Sequence, residues 1–206
     1  MSTPPRPRTV LVTGAARRLG RLFSLAFARA GWDVACHYQH SRDEALQTCA
    51  EVEALGRRAW AIAGDLADAA AQERIFADTV QAMGQPPDAI VNNASLFEPD
   101  QGLDFSPELL QRQMQVNLVA PLQLATLLAR ARQQACAGQG VPAVIHVLDQ
   151  KVFNLNPDYF SYTLSKLALE RAVALQAQAL APLVRVSAIA PGLVYVSGPQ
   201  DRKSVV

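Results

Sequence analysis

Apolar positions along this chain recur in two alternating rhythms. Short, nearly continuous runs of β-formers occur at 9–14 (TVLVTG), 33–38 (DVACHY), 58–65 (RAWAIAGD), 88–93 (DAIVNN), 143–148 (AVIHVL) and 184–190 (VRVSAIA). Between them, apolar residues fall three and four apart, which predicts helices over 21–31, 41–56, about 68–83, 107–135 and 159–181. Gly31 and Gly56 mark helix ends, and Ser41 is a candidate N-cap. Strands this apolar need cover on both faces. The alternation therefore predicts an α/β fold, a doubly wound parallel sheet with helices on both faces. Right-handed crossovers place the ligand site of such a sheet at the carboxyl ends of its strands.

Composition narrows the picture. A chain of 206 residues, half of them hydrophobic, can bury one core, so a single domain is expected. A net charge of +1 without basic runs excludes a nucleic-acid signature. No unbroken run of about 18 apolar residues exists, which argues against a membrane span. The N-terminal MSTPPRPR has no apolar segment, so residues 1–8 are expected to be a disordered leader rather than a signal peptide. Cys36, Cys49 and Cys136 lack metal-ligand spacing; they read as free thiols of a cytoplasmic protein, and no metal is expected.

Candidate chemistry starts after the first strand, at TGAARRLG (13–20). Gly14 permits a tight turn, Gly20 permits close helix–sheet approach, and the helix start, with Arg17, Arg18 and Leu19, suits a pyrophosphate. The middle glycine common in such turns is replaced by Arg18. After the second strand, Tyr38, Gln39, His40, Ser41 and Arg42 precede any acid, which favours the 2′-phosphate of NADP(H) over the ribose hydroxyls of NAD. Asp65, next to Leu66, either accepts from an adenine amino group or caps the following helix. In NNAS (92–95), the small residues around Asn93 and Ala94 let the backbone pass beneath the cofactor.

Tyr162 and Lys166, four apart, share one helix face. Alone they are compatible with an ordinary amphipathic helix. Combined with the glycine turn, a lysine cation beside a phenol predicts a lowered tyrosine pKa and a phenol suited to proton transfer. Asp149 stands thirteen residues before the tyrosine, where carbonyl-reducing sites of this kind usually carry serine.

Residues 9 to about 195 resemble the short-chain dehydrogenase/reductase family, and TGAARRLGR, HYQHS, NNASLFEP, VNLVAP, LDQ, YTLSK and APGL are similar to its pteridine reductase branch and bacterial dihydromonapterin reductase relatives. The resemblance implies a Rossmann-like domain and an Asp149, Tyr162, Lys166 active set, with Asn117 supporting a proton relay through water and lysine. It implies that Ser95 and Phe97 line a slot for a flat ring, that Arg18 reaches both cofactor and substrate, and that Pro191 and Gly192 of APGL border the cofactor. His40 stands where that branch often has arginine, so Arg42 is the candidate to compensate. A carboxylate at 149 suits the donor-rich edge of a pterin or folate better than a simple ketone. The implied activity is NADPH-dependent reduction of a pterin- or dihydrofolate-like C=N bond. The alternatives are another carbonyl or imine substrate, or an inactive NADP-binding module. By resemblance, the full-length protein forms homo-oligomers through the helices at 107–135 and 159–181.

The family pattern continues beyond APGL through a substrate loop, a helix and a seventh strand. Here the chain stops within about ten residues, and DRKSVV resembles translated adapter sequence. The expectation is a domain over 9–198 lacking its last strand, a non-native or disordered tail over 199–206, and an exposed sixth strand at the sheet edge.

Overall fold

The computed structural model describes residues 6–134 and 140–192; the expectations for the tail and for Cys136 lie outside them. The elements are β1 (Thr9–Val12), α1 (Arg18–Arg29), β2 (Asp33–Tyr38), α2 (Arg42–Ala54), β3 (Ala59–Ala63), α3 (Ala69–Met83), β4 (Ala89–Asn92), α4 (Pro107–Met114), α5 (Ala120–Gln134), β5 (Ala143–Val147), α6 (Phe160–Leu180) and β6 (Arg185–Ile189). All pairings are parallel, in the order β3-β2-β1-β4-β5-β6. The chain winds outward from β1 in both directions, and the crevice between β1 and β4 is the switch point where such folds bind ligands.

Alternate strand residues feed two cores. Val10, Val12, Val34, Cys36 and Val91 pack with Leu25, Ala28, Cys49 and Val52 of α1 and α2. Leu11, Ala35, Ile90 and Val144 pack with Ile75, Leu124 and Leu128 of α3 and α5. Both cores are continuous, which is why the strand sequences are apolar at successive positions. β6 is less well covered: Arg185, Ser187 and Ile189 are exposed, Ile189 to 41%. Cys36 and Cys49 are buried free thiols.

Two boundaries differ from expectation. The helix predicted over 107–135 is interrupted by a π-helical turn at Gln115–Val119, between α4 and α5. That turn carries the buried Asn117, whose side chain is held by groups outside the helix; such bulges recur at functional sites. Ser41 precedes α2, but its hydroxyl makes no capping bond. The described residues of the expected leader are also engaged. Arg6 forms a two-pronged pair with Asp88 (2.8 and 2.9 Å), and Arg8 lies over the Trp32 ring.

At the end of the sheet away from the crevice, the buried Asp33 accepts from both Arg57 and Arg58 side chains and from the Arg58 N–H. Burial alone would raise its pKa, but these bonds overcome it and hold the carboxyl below 3.8. Its contribution is therefore present above the unfolded-state value near 3.8 and is lost as pH falls through the lower folded value. Asp33→Ala should cost about 2 kcal/mol in urea unfolding at pH 7, because both arginines are partly exposed and rehydrate. An unchanged midpoint would refute this.

Candidate active site

The crevice opens into a cleft of about 610 Å³ at the carboxyl ends of the strands. Gly14, φ +63°, makes the first turn, and a Cβ there would lie 3.0 Å from the Ala94 Cα. A Cβ on Gly20 would lie 2.0 Å from the Gly14 carbonyl oxygen, so only glycine lets α1 start this close to β1. Arg18 adopts φ +49° at the position where the middle glycine is missing, a conformation costing a non-glycine residue about 1 kcal/mol. Asn93 staples the turn: its Nδ2 donates to the carbonyls of Thr13 (2.9 Å) and Gly14 (3.2 Å). Thr13 Oγ1 accepts in return from the Asn93 and Ala94 N–H groups.

A residue that the sequence reading passed over completes this scaffold. His37, buried near the end of β2, accepts from the Gly14 N–H at Nδ1 (3.2 Å), and its Nε2 lies 3.1 Å from the Gly64 carbonyl. Both bonds form together only in the neutral Nε2–H tautomer. Burial pushes its pKa down to about 4, opposed by the Gly64 carbonyl and by Asp65. Its sequence signal was weak because a histidine inside a strand reads as sheet filling.

The cleft continues past Arg17, Arg18, Leu19 and Gly20 to Tyr38, His40 and Ser41, then to Asp65, Leu66, Asn93 and Ala94. Arg42, the first residue of α2, follows the lining residue Ser41 but is not itself among the described residues lining the cleft. Arg17 also pairs with Glu44. Of the two roles open to Asp65, capping falls to Asp68, which accepts from the Ala70 N–H at the start of α3. Asp65 instead accepts from the Ala67 N–H and lines the cleft. A dinucleotide fits this set: the first turn of α1 carries no acid, cations flank it, and the end of β2 presents Tyr38–Gln39–His40–Ser41.

At the other end, Asp149, Tyr162, Lys166, Ser95, Phe97, Pro191 and Gly192 line the same cleft. The Tyr162 hydroxyl donates to Asp149 Oδ2 at 2.8 Å. Asp149 Oδ1 accepts from the Lys151 N–H, capping the 3₁₀ turn Gln150–Val152. Lys166, 3% exposed, donates from Nζ to the Val147 carbonyl at 2.8 Å and lies 5.8 Å from the Tyr162 ring centroid. Burial pushes its pKa down to about 8, against the Asp149 carboxylate. The expectation of a lowered tyrosine pKa is reversed. Burial first, then the charge of Asp149 and the hydrogen bond to it, push the Tyr162 phenol upward. The phenol stays protonated at neutral pH, as a proton donor must.

Asn117 is buried beneath the cleft rather than lining it. Its Oδ1 accepts from Ser95 Oγ (3.1 Å) and the Leu96 N–H (2.8 Å), and its Nδ2 donates to the Leu96 carbonyl (2.9 Å) and Ser165 Oγ (2.9 Å). The side chain ties the loop after β4 to α6. Phe97 stacks on Tyr159, centroids 4.0 Å apart and 6° from parallel, and meets Tyr162 edge-on at 4.6 Å. Tyr159 was not singled out from sequence, because an aromatic near a helix start carries no signal of its own. Among the described residues, no cluster fits a metal ion and no helix is long and apolar enough to cross a membrane.

A solved structure shares this fold. A structure of FolM alternative dihydrofolate reductase 1 from Brucella canis, complexed with NADP, superposes with a TM-score of 0.86 at 37% identity, covering 95% of this chain and 76% of that one. Dihydromonapterin reductase from Enterobacter sp. (strain 638) is 31% identical over 97% of this chain and 79% of its own. L-rhamnose 1-dehydrogenase (NAD(P)(+)) from Sphingomonas sp. (strain SKA58) is 40% identical over 111 residues, 54% of this chain and 43% of that protein. General stress protein 39 from Bacillus subtilis (strain 168) is 30% identical, with 64% of its length covered, so this chain spans less than two thirds of some relatives. The family model for short chain dehydrogenases matches residues 8–204, nearly the whole chain. With that match and the two reductases above, the chain belongs to the short-chain dehydrogenase family, in its pteridine reductase-like branch.

Proposed function

We propose that the protein is an NADPH-dependent reductase acting on a C=N bond of a pterin- or dihydrofolate-like ring. One observation carries this reading: a carboxylate, Asp149, holds the hydroxyl of Tyr162 at 2.8 Å inside the cleft. The nicotinamide, when bound, supplies hydride to the ring carbon. Tyr162 delivers the proton to the ring nitrogen, and Asp149 passes a replacement proton from solvent to the phenol oxygen. Lys166 anchors the nicotinamide ribose and keeps a positive charge beside the phenol, while Asn117 fixes the floor of the site. Arg18, Ser95 and Phe97 hold the flat substrate; the exposed aromatic surface of Phe97 suits stacking. The choice of NADPH rests on the acid-free stretch Tyr38–Ser41 and on the NADP-bound Brucella canis relative. A homo-oligomer is the working form we assign to the full-length protein, on its family resemblance alone.

A second reading, reduction of a sugar-like or other carbonyl, is favoured by the L-rhamnose 1-dehydrogenase match. One substitution separates the two. Asp149→Ser should lower turnover of dihydromonapterin and dihydrofolate about 10- to 100-fold, because the relay loses its carboxylate while Tyr162 remains. Turnover of a ketone panel should hold within about threefold, since serine suffices for a carbonyl oxygen. NADPH oxidation with each substrate is the measurement. Wild-type pterin turnover in the variant would remove Asp149 from the mechanism.

A further inference from the structure

Helix α6 carries both Tyr162 and Lys166, yet the side chain of its N-cap residue accepts no N–H of the first turn. Tyr159 sits in the left-handed region (φ 59°, ψ 52°) and makes no side-chain capping bond. The first N–H groups of a helix need acceptors from elsewhere. They come from sixty residues away. The Asp100 carbonyl accepts from the Phe160 N–H (3.1 Å), and the Asp100 carboxylate accepts from the Ser161 N–H (3.0 and 3.3 Å). Ser161 Oγ also donates to Asp100 Oδ2. Asp100 is 8% exposed, and among the described residues no ion pair balances it. The positive end of the α6 dipole does so instead.

Asp100 belongs to the loop that also bears Ser95 and Phe97, and this loop is stitched to its surroundings throughout. Asn117 holds Leu96, Gln113 Nε2 donates to the Glu98 carbonyl (3.1 Å), Phe97 stacks on Tyr159, and Phe105 meets Phe160 at 5.5 Å. Substrate loop and proton-donor helix therefore form one body, and Asp100 is its charged joint. Ser161, the residue it grips, immediately precedes Tyr162.

We infer that Asp100 is a positioning residue: by capping α6 from the loop, it sets the placement of the first helical turn and so the aim of the Tyr162 hydroxyl at Asp149. It acts through Tyr162 and touches no reacting atom. This deepens the function proposed above and rests on Tyr162 being the proton donor. A displacement of about 1 Å at a reacting group can cost about 100-fold in rate.

The test uses the chain labelled with ¹³Cζ-tyrosine. Its four tyrosines make assignment of Tyr162 straightforward by comparison with Tyr162→Phe. Asp100→Asn and Asp100→Leu should shift the Tyr162 ¹³Cζ resonance, Asn less than Leu because it keeps an acceptor. They should lower kcat about 10- to 100-fold while leaving the NADPH Kd within about twofold. Asp33→Ala, destabilised at the far end of the sheet, is the control and should leave the resonance in place. Should the Leu variant fail to fold, Ser161→Ala removes only the hydroxyl bond and should produce a smaller shift in the same direction. An unmoved Tyr162 resonance in folded Asp100→Asn and Ser161→Ala, or an equal shift in Asp33→Ala, overturns the inference. The resonance is read without turnover. Pterin activity surviving Tyr162→Phe would thus sink the proposed function while leaving the placement result separately legible.

Discussion

Replacement of Tyr162 by phenylalanine should lower kcat for a dihydropterin about 1,000-fold and leave the NADPH Kd within about twofold. Only the hydroxyl is lost. The ring keeps its edge contact with Phe97, and Lys166 keeps its bond to the Val147 carbonyl. What disappears is the hydroxyl bonded to Asp149, the group that under the proposed function hands the proton to the substrate. Single-turnover rates with prebound NADPH isolate this step from product release. The wild-type pH profile belongs to the same experiment. Burial and Asp149 push the phenol pKa upward, so phenol ionisation should not limit activity below pH 10, its ordinary value. Lys166, pushed down to about 8, should set the alkaline limb instead, with activity falling as it loses its proton. Rates in the Phe variant within tenfold of wild type would mean that another donor serves the substrate.

The second large effect concerns acid. His37 titrates ordinarily at 6.5 and at about 4 when buried between Gly14 and Gly64. Between these values the unfolded chain binds a proton that the folded one refuses, so stability is lost as pH falls from 6.5 towards 4. The gap corresponds to about 3 kcal/mol from this one residue. His146 contributes in the same direction. Buried between Asn92 and Gln176, it has its pKa lowered by burial first and by the nearby Lys166 charge. Urea unfolding at pH 7, 5 and 4 should show the loss. His37→Gln, which retains one acceptor and one donor, should flatten the curve by about 3 kcal/mol over that interval. NADPH affinity should hold over most of that range and fall only as pH approaches 4, where the folded His37 gains a proton and can no longer accept the Gly14 N–H that shapes the phosphate turn. A slope identical in wild type and variant would assign the acid sensitivity to other groups.

The linear pattern carried much of this molecule. Six apolar runs separated by helical periods specify a parallel sheet, because strands buried on both faces have no polar side to show. Tyr162 and Lys166 meet on one face because four residues make about one turn, and Gly14 and Gly20 are glycines because any Cβ would collide with the chain across the turn. These are local relations, and sequence spacing expresses them directly.

Tertiary structure decided what depends on groups far apart in the chain. The tyrosine pKa moves up rather than down, since the outcome depends on burial and on a carboxylate thirteen residues away, which spacing to lysine cannot weigh. His37 becomes a strut for the phosphate turn only when β1, β2 and the end of β3 lie side by side. Asp100 caps a helix that begins sixty residues later, beyond any local capping pattern. Asn117 braces the loop after β4 once a π turn carries it inward. The sequence by itself determined the layers, the glycine turn and the tyrosine–lysine pair, because repeating backbone geometry sets those. Only the folded chain decided which polar groups are buried together, and burial beside a particular neighbour is what sets their charge and their aim.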